Sequence, residues 1–464
     1  MDGYLRYRCL KEESAECALI GDSYEPSSNV TKGEGRRQSL GKRVTLFLIL
    51  LLLATALGCR AAATKEPNSD ACALALAPHS GNTPIDLEII RLQDATLHST
   101  DRSRAFEQLG WAYVKKSRVS FDPGFYKLAE QCAGCIASQN PDSPEALLLK
   151  GYVLCNLHYF KDAEAIARRL CQTRVAAVDY ALLGDALMEQ GILNEAIDAY
   201  QKMVDLKPGP QGYARIAHIR WLKGDLEGAL EMMRKAAGTT GARDAESAAW
   251  AYSRVALYEL QEGSTQNADR ACEAALLLQN DYAPALLVRA RICLAQNRNE
   301  QAAQLMQRAV SINPLPEYKW MLAESLRAAG QPNEAQDVED EIRKQGPADD
   351  PRTVALFLTT RGEQLDEALS LARQETTVRG DVFTLDALAW ALAAMGRANE
   401  AMDQIKRALS EGTEDARLFY HAGSILARAG KRQEARLMLR KATALKQMLL
   451  PTEKEGLSKE LRGL

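Results

Sequence analysis

The sequence predicts an all-α protein, a solenoid of about ten helix-turn-helix units with a C-terminal capping helix. Three observations point there: an alanine that returns every 33 or 34 residues, a second marker twelve positions before it, and a composition that favours helix. The chain has 464 residues, far more than one ordinary core needs, so several domains or a long array of small units is expected. Alanine and leucine dominate, aromatic residues make up only 6% and β-branched runs are short, a profile that leans to helix. A net charge of -3 leaves no electrostatic footprint for nucleic acid, and the two signs are mixed as on solvated helix faces.

The repeat is explicit in the residues. Alanine stands at Ala129, Ala163, Ala196, Ala229, Ala268, Ala302, Ala335, Ala368, Ala401 and Ala435, in steps of 34, 33, 33, 39, 34, 33, 33, 33 and 34. Twelve residues before nine of these come Gly151, Gly184, Ala217, Ala256, Ala290, Ala323, Leu356, Ala389 and Gly423. From the third unit on, six units carry a glycine five residues before the alanine: Gly191, Gly224, Gly263, Gly330, Gly396 and Gly430. Pro141, Pro208 and Pro314 each follow an alanine by twelve. Glycine ends a first helix because it takes the left-handed conformation cheaply. Glu195, Glu334, Glu367, Glu400 and Glu434 follow the turns, where carboxylates favour a helix start. Small residues let two backbones pack closely, and proline closes the second helix. Between the marks, apolar residues such as Ile197, Tyr200, Met203 and Val204 keep helical spacing. A pair this small cannot bury its own apolar face, so neighbours must stack.

These marks resemble the tetratricopeptide-repeat (TPR) family, most closely from Tyr180 through Leu183, Gly184, Leu187, Ala196 and Tyr200 to Pro208. The resemblance covers ten units over 103–445 and implies a right-handed superhelix, with the first helix of each unit on the concave side. Residues 446–464 are expected to form the capping helix. Three irregularities interrupt the pattern. Unit one has Leu109 and Gly110 nineteen residues before Ala129, which places a linker between its helices around Ser117 to Gly124. The step of 39 puts added residues near Gly238 to Ala242, as a looser joint. Leu356 breaks the small-residue rule.

Ahead of the array, residues 1–35 read as a disordered tail. Residues 36–59 hold basic Arg36, Arg37, Lys42 and Arg43, then the apolar run Val44 to Leu57, then Gly58 and Cys59. That is a signal peptide or membrane anchor, since the run falls short of the roughly 20 apolar residues of a full span. Its end, Ala56-Leu57-Gly58-Cys59, resembles a bacterial lipoprotein signal, which implies lipidation of Cys59; an uncleaved anchor is the other reading. Both place the array outside the cytoplasm, tied to a membrane. Residues 60–102 read as a linker.

No catalytic centre emerges. Cys132 and Cys135 form a single CxxC, followed by Ile136 and without a second pair, so neither a haem attachment nor a four-thiolate zinc site is completed. The cysteines of the first two units, Cys132, Cys135, Cys155 and Cys171, read as small interface residues, with a disulfide staple as the alternative. The five histidines keep no metal-ligand spacing, and phosphate loops and nucleophile elbows are missing. No cofactor or metal is expected.

Five tryptophans fall at related offsets on first helices. Trp111, Trp221, Trp250, Trp320 and Trp390, joined by Tyr152, His218, Phe357 and Tyr420, lie on one helical stripe. By the resemblance, that stripe faces the groove, and it predicts an aromatic-lined channel for a peptide or amphipathic helix. Packing between neighbouring first helices is the plainer reading. The function expected is a non-catalytic scaffold holding a protein partner at a membrane. A glycan-binding protein and a regulatory subunit of a membrane enzyme are the alternatives.

Overall fold

The computed structural model describes residues 69–240 and 244–464. Over these the chain forms 23 α-helices and no strand. Two helices lead, α1 (Ser69–Ala75) and α2 (Pro84–His98). The ten units follow as pairs: α3 (Arg102–Ser120) with α4 (Gly124–Gln139), α5 (Pro144–Asn156) with α6 (Phe160–Thr173), and α7 (Ala177–Glu189) with α8 (Leu193–Leu206). Next are α9 (Pro210–Leu222) with α10 (Leu226–Thr239), α11 (Ala245–Glu262) with α12 (Thr265–Leu278), and α13 (Ala283–Ala295) with α14 (Asn299–Ile312). The last four pairs are α15 (Pro316–Ala328) with α16 (Pro332–Asp349), α17 (Pro351–Arg361) with α18 (Leu365–Val378), α19 (Val382–Ala394) with α20 (Ala398–Leu409), and α21 (Ala416–Arg428) with α22 (Arg432–Ala444). A 3-10 turn at Lys446–Met448 leads into α23 (Pro451–Gly463).

Local chemistry sets the boundaries. Proline opens α5, α9, α15, α16 and α17, where the missing N–H is no loss. Asp225, Asp244, Asp350, Asp381 and Asp415 cap their helices by accepting backbone N–H groups. All six turn glycines have positive φ, and two of the other four units place His158 and Asn297 in the same left-handed region. The ten repeat alanines have no exposed surface at all. At the second marker the fit is as close: a Cβ on Gly184 would lie 2.3 Å from the Tyr200 ring.

The irregular stretches differ from expectation. In unit one the extra residues lengthen α3 to Ser120, leaving only Phe121 to Pro123 as a turn, because neither glycine nor proline interrupts 111–122. At the step of 39, α10 runs to Thr239 and α11 is 18 residues long, so helix takes up part of the insertion; residues 241–243 lie outside the described part. Leu356 is buried in α17. The stretch read as linker carries α1 and α2, and both are packed. A disulfide joins Cys72 of α1 to Cys135 of α4, and Gln93 of α2 donates to the Ala77 carbonyl (2.7 Å) and to Tyr113 Oη (2.8 Å). Cys132 and Cys155 are buried thiols. The tail and tether, with Cys59, lie outside the described residues. Among the described helices none is long and apolar enough to cross a membrane.

The superhelix winds tightly enough for one turn to touch the next. Thr413 Oγ1 donates to the Leu222 carbonyl at 2.6 Å, across 191 positions, and Lys223 Nζ pairs with Glu411 at 2.6 Å, across 188. These distances along the chain are roughly six repeat lengths. The Gly380 N–H likewise donates to the Glu189 carbonyl at 3.4 Å.

Candidate functional site

This winding decides what the aromatic stripe faces. Eight of the nine residues expected to line an open channel are buried, which corrects that expectation. Trp221 stacks on Tyr258 of the next unit and on Phe383 from the following superhelical turn, each 5.9 Å away, and its Nε1 donates to Gln261 Oε1 at 2.9 Å. His218 lies 5.5 Å from the same indole. Trp320 meets Phe357 edge-on at 5.7 Å, and Trp390 sits 5.6 Å from Tyr420 and 4.2 Å from His421. Trp250 is buried under the Arg254 guanidinium, 5.9 Å from its ring, and Tyr152 is buried below Trp111. The first helices do carry their aromatics inward, but neighbouring units and the next turn cover them.

Charged side chains fill the same interior. Arg215 grips Asp185 through Nε (2.8 Å) and Nη2 (2.7 Å), and Tyr200 Oη donates to that carboxylate at 2.7 Å. Arg379 Nε lies 3.0 Å from Glu375, and Arg417 pairs with Glu453. These bidentate or charge-assisted contacts are the form in which ions are tolerated away from water. Burial pushes the Asp350 carboxyl up to about 7, with the charge of Arg352 opposing it. No set of three or more metal-ligating side chains comes together among the described residues.

Trp111 alone keeps a partly open face. It borders a cavity of about 760 Å³ at the amino-terminal end, between α2, α3, the start of α5 and the start of α11. Glu107 lies one turn before Trp111 on α3, and its carboxyl is pushed up to about 7, first by burial and then by the charge of Glu145. Across the cavity Arg118 pairs with Glu246, which also accepts from Tyr282 Oη at 3.0 Å. Arg118 sits in the added length of α3 and Glu246 in the added first turn of α11. The two irregularities of the repeat thus meet at one ion pair, spanning 128 positions. The sequence signalled both insertions but not their meeting, and it left Glu107, Arg118 and Glu246 unmarked.

The tetratricopeptide-repeat family matches the chain twice, over residues 180–210 and 259–324. No curated protein matches it. Among solved structures, a human IFIT1 dimer with m7Gppp-AAAA aligns at a TM-score of 0.46 and 12% identity, over 82% of this chain and 95% of that one. Yeast Tom70 aligns at 0.37 and 13% identity, over 81% and 96% respectively. The pilF protein of Pseudomonas aeruginosa aligns at 0.38 and 13% identity, over 45% and 93%. With ten helix pairs, left-handed turns at fixed positions and two direct matches to the repeat, the chain is a tetratricopeptide-repeat solenoid, an architecture that supports a role as a scaffold for protein interaction.

Proposed function

We propose that this chain is a non-catalytic adaptor, tied to a membrane through residues 36–59, that holds a segment of a protein partner in the amino-terminal cleft beside Trp111. The cavity itself supports this: it is large enough for several side chains and has one indole wall with acidic and basic groups around it. An exposed aromatic anchor ringed by polar groups is the usual anatomy of a binding hot spot. Further along, the stripe is buried under neighbouring units.

Trp111→Ala tests the site. Trp111 packs edge-on against Tyr152 at 5.3 Å but keeps an open side, so its loss costs less than the roughly 3–5 kcal/mol of a fully buried aromatic cut to alanine. Partner capture from the native membrane by the full chain is expected to fall at least tenfold. Undiminished capture by a folded Trp111→Ala chain would move the site elsewhere. For the tether, deleting 36–59 is expected to shift the chain from the membrane to the soluble fraction on sedimentation. A deleted chain that still pellets with membranes would rule that segment out as the anchor.

A further inference from the structure

The charges that line the amino-terminal cleft do not balance: six carboxylates border it against four basic groups. Toward the end of α3 the two signs meet, Arg118 with Glu246 and Lys115 within 3.9 Å of Glu88. Around Trp111 the negative sign prevails. Glu107 and Trp111 stand four residues apart on α3 and so share one face of the helix, and the indole N–H donates to the Glu107 carboxylate. Glu145 joins them from the first turn of α5. Ser143 fixes its place: the Ser143 side chain accepts from the Ala146 N–H (3.3 Å), and its hydroxyl donates to Glu145 at 2.7 Å.

Two cations of the chain stand near this pair of carboxylates. Arg174 gives Nε (2.7 Å) and Nη2 (2.8 Å) to Asp179 and lies 4.0 Å from Glu145. Arg104, one turn before Glu107, is exposed. Their effect is partial, because burial and the charge of Glu145 outweigh both at Glu107, whose carboxyl stays raised. A cation entering the cleft relieves that crowding; an anion adds to it. Leu92, Ala112, Val119 and Ile136 supply apolar wall beside the charges. An arginine side chain matches each part of this lining. Its plane stacks on an indole, its fork takes carboxylates two bonds at a time, and its methylene stem covers apolar surface.

We propose that the partner segment held in this cleft presents an arginine, whose guanidinium lies on the open side of Trp111 and bonds to Glu107 and Glu145; the choice of ligand rests on the cleft being the partner's seat. Glu107 has a double part in this arrangement, holding the indole edge and taking the incoming charge.

The probes are three acetylated, amidated tripeptides, with arginine, citrulline or glutamate between two glycines. Citrulline keeps the shape of arginine and lacks its charge. The full-length chain, labelled with 5-fluorotryptophan, reports its indoles by fluorine NMR, and Trp111→Phe assigns the Trp111 signal. The arginine peptide is expected to move that signal saturably, binding roughly tenfold more tightly than the citrulline peptide. The glutamate peptide should leave it in place. With Glu107→Gln and Glu145→Gln together, the preference for arginine should largely vanish. Equal binding of arginine and citrulline, tighter binding of glutamate, or no saturable response to arginine would each overturn the proposal, as would a folded double variant that keeps the full preference. The wild-type comparison decides alone if the double variant fails to fold. Partner capture with Trp111→Ala judges the cleft separately: lost capture beside indifferent tripeptides keeps the cleft and discards its arginine ligand.

Discussion

Replacing Trp221 by alanine will lower the stability of the array by about 3–5 kcal/mol, the range for a buried aromatic cut to alanine. The indole is 1% exposed, and it is shared by the next unit through Tyr258 and by the next superhelical turn through Phe383. Truncation leaves a cavity that neither neighbour can close without moving its own helix. The distribution of the loss is as informative as its size. A simple solenoid's stability is close to a sum of units and nearest-neighbour interfaces. Here contacts such as Thr413 with Leu222 and Lys223 with Glu411 tie distant units together. Urea denaturation measures the total, and hydrogen exchange locates it. Exchange is expected to quicken in α9, α11 and α19 together; a response confined to α9 and α11 would mean that the turns stack without sharing stability.

The units were legible in the sequence because each mark has a local cause. Positive φ at the six turn glycines, and full burial of the ten alanines, follow from forces acting within one helix pair. The inward face of the first helices was legible too, since the tryptophan offsets share one stripe. Whether that face is open is another matter. It depends on the pitch of the superhelix, the sum of small rotations between repeats, which no single unit encodes. A hint lay in the charges on the same helices: Arg215, Arg254 and Arg417 fall among the aromatics, and each finds a partner inside. For the cleft, the two length irregularities were visible, but only the three-dimensional winding brings Arg118 to Glu246. The staple was half visible. Cys135 stood out through its CxxC, while Cys72 lies before the first unit, where no repeat fixes its place.

Asp185→Ala is expected to cost about 3–5 kcal/mol, because it takes a bidentate carboxylate away from a buried guanidinium. Arg215 is 1% exposed and grips Asp185 through two bonds, at 2.8 and 2.7 Å. The Gln211 carbonyl also accepts from Nη1, at 3.3 Å. Tyr200 Oη loses its acceptor at the same stroke. The double replacement Asp185→Leu with Arg215→Met removes both charges and keeps much of the volume, so most of the loss should return. If the double variant stays as unstable as Asp185→Ala, the deficit comes from packing around Tyr200 rather than from the broken ion pair. If stability returns, a second measurement asks what the pair contributes besides energy. Asp185 sits on α7 and Arg215 on α9, so a bidentate bond between them fixes the register of two successive first helices, and errors in register add up along a superhelix. We predict that the stable double variant will lose protection at the Gly380 N–H, whose bond to the Glu189 carbonyl depends on where α7 ends relative to the next turn. Unchanged exchange at Gly380 would show that apolar packing alone sets the winding.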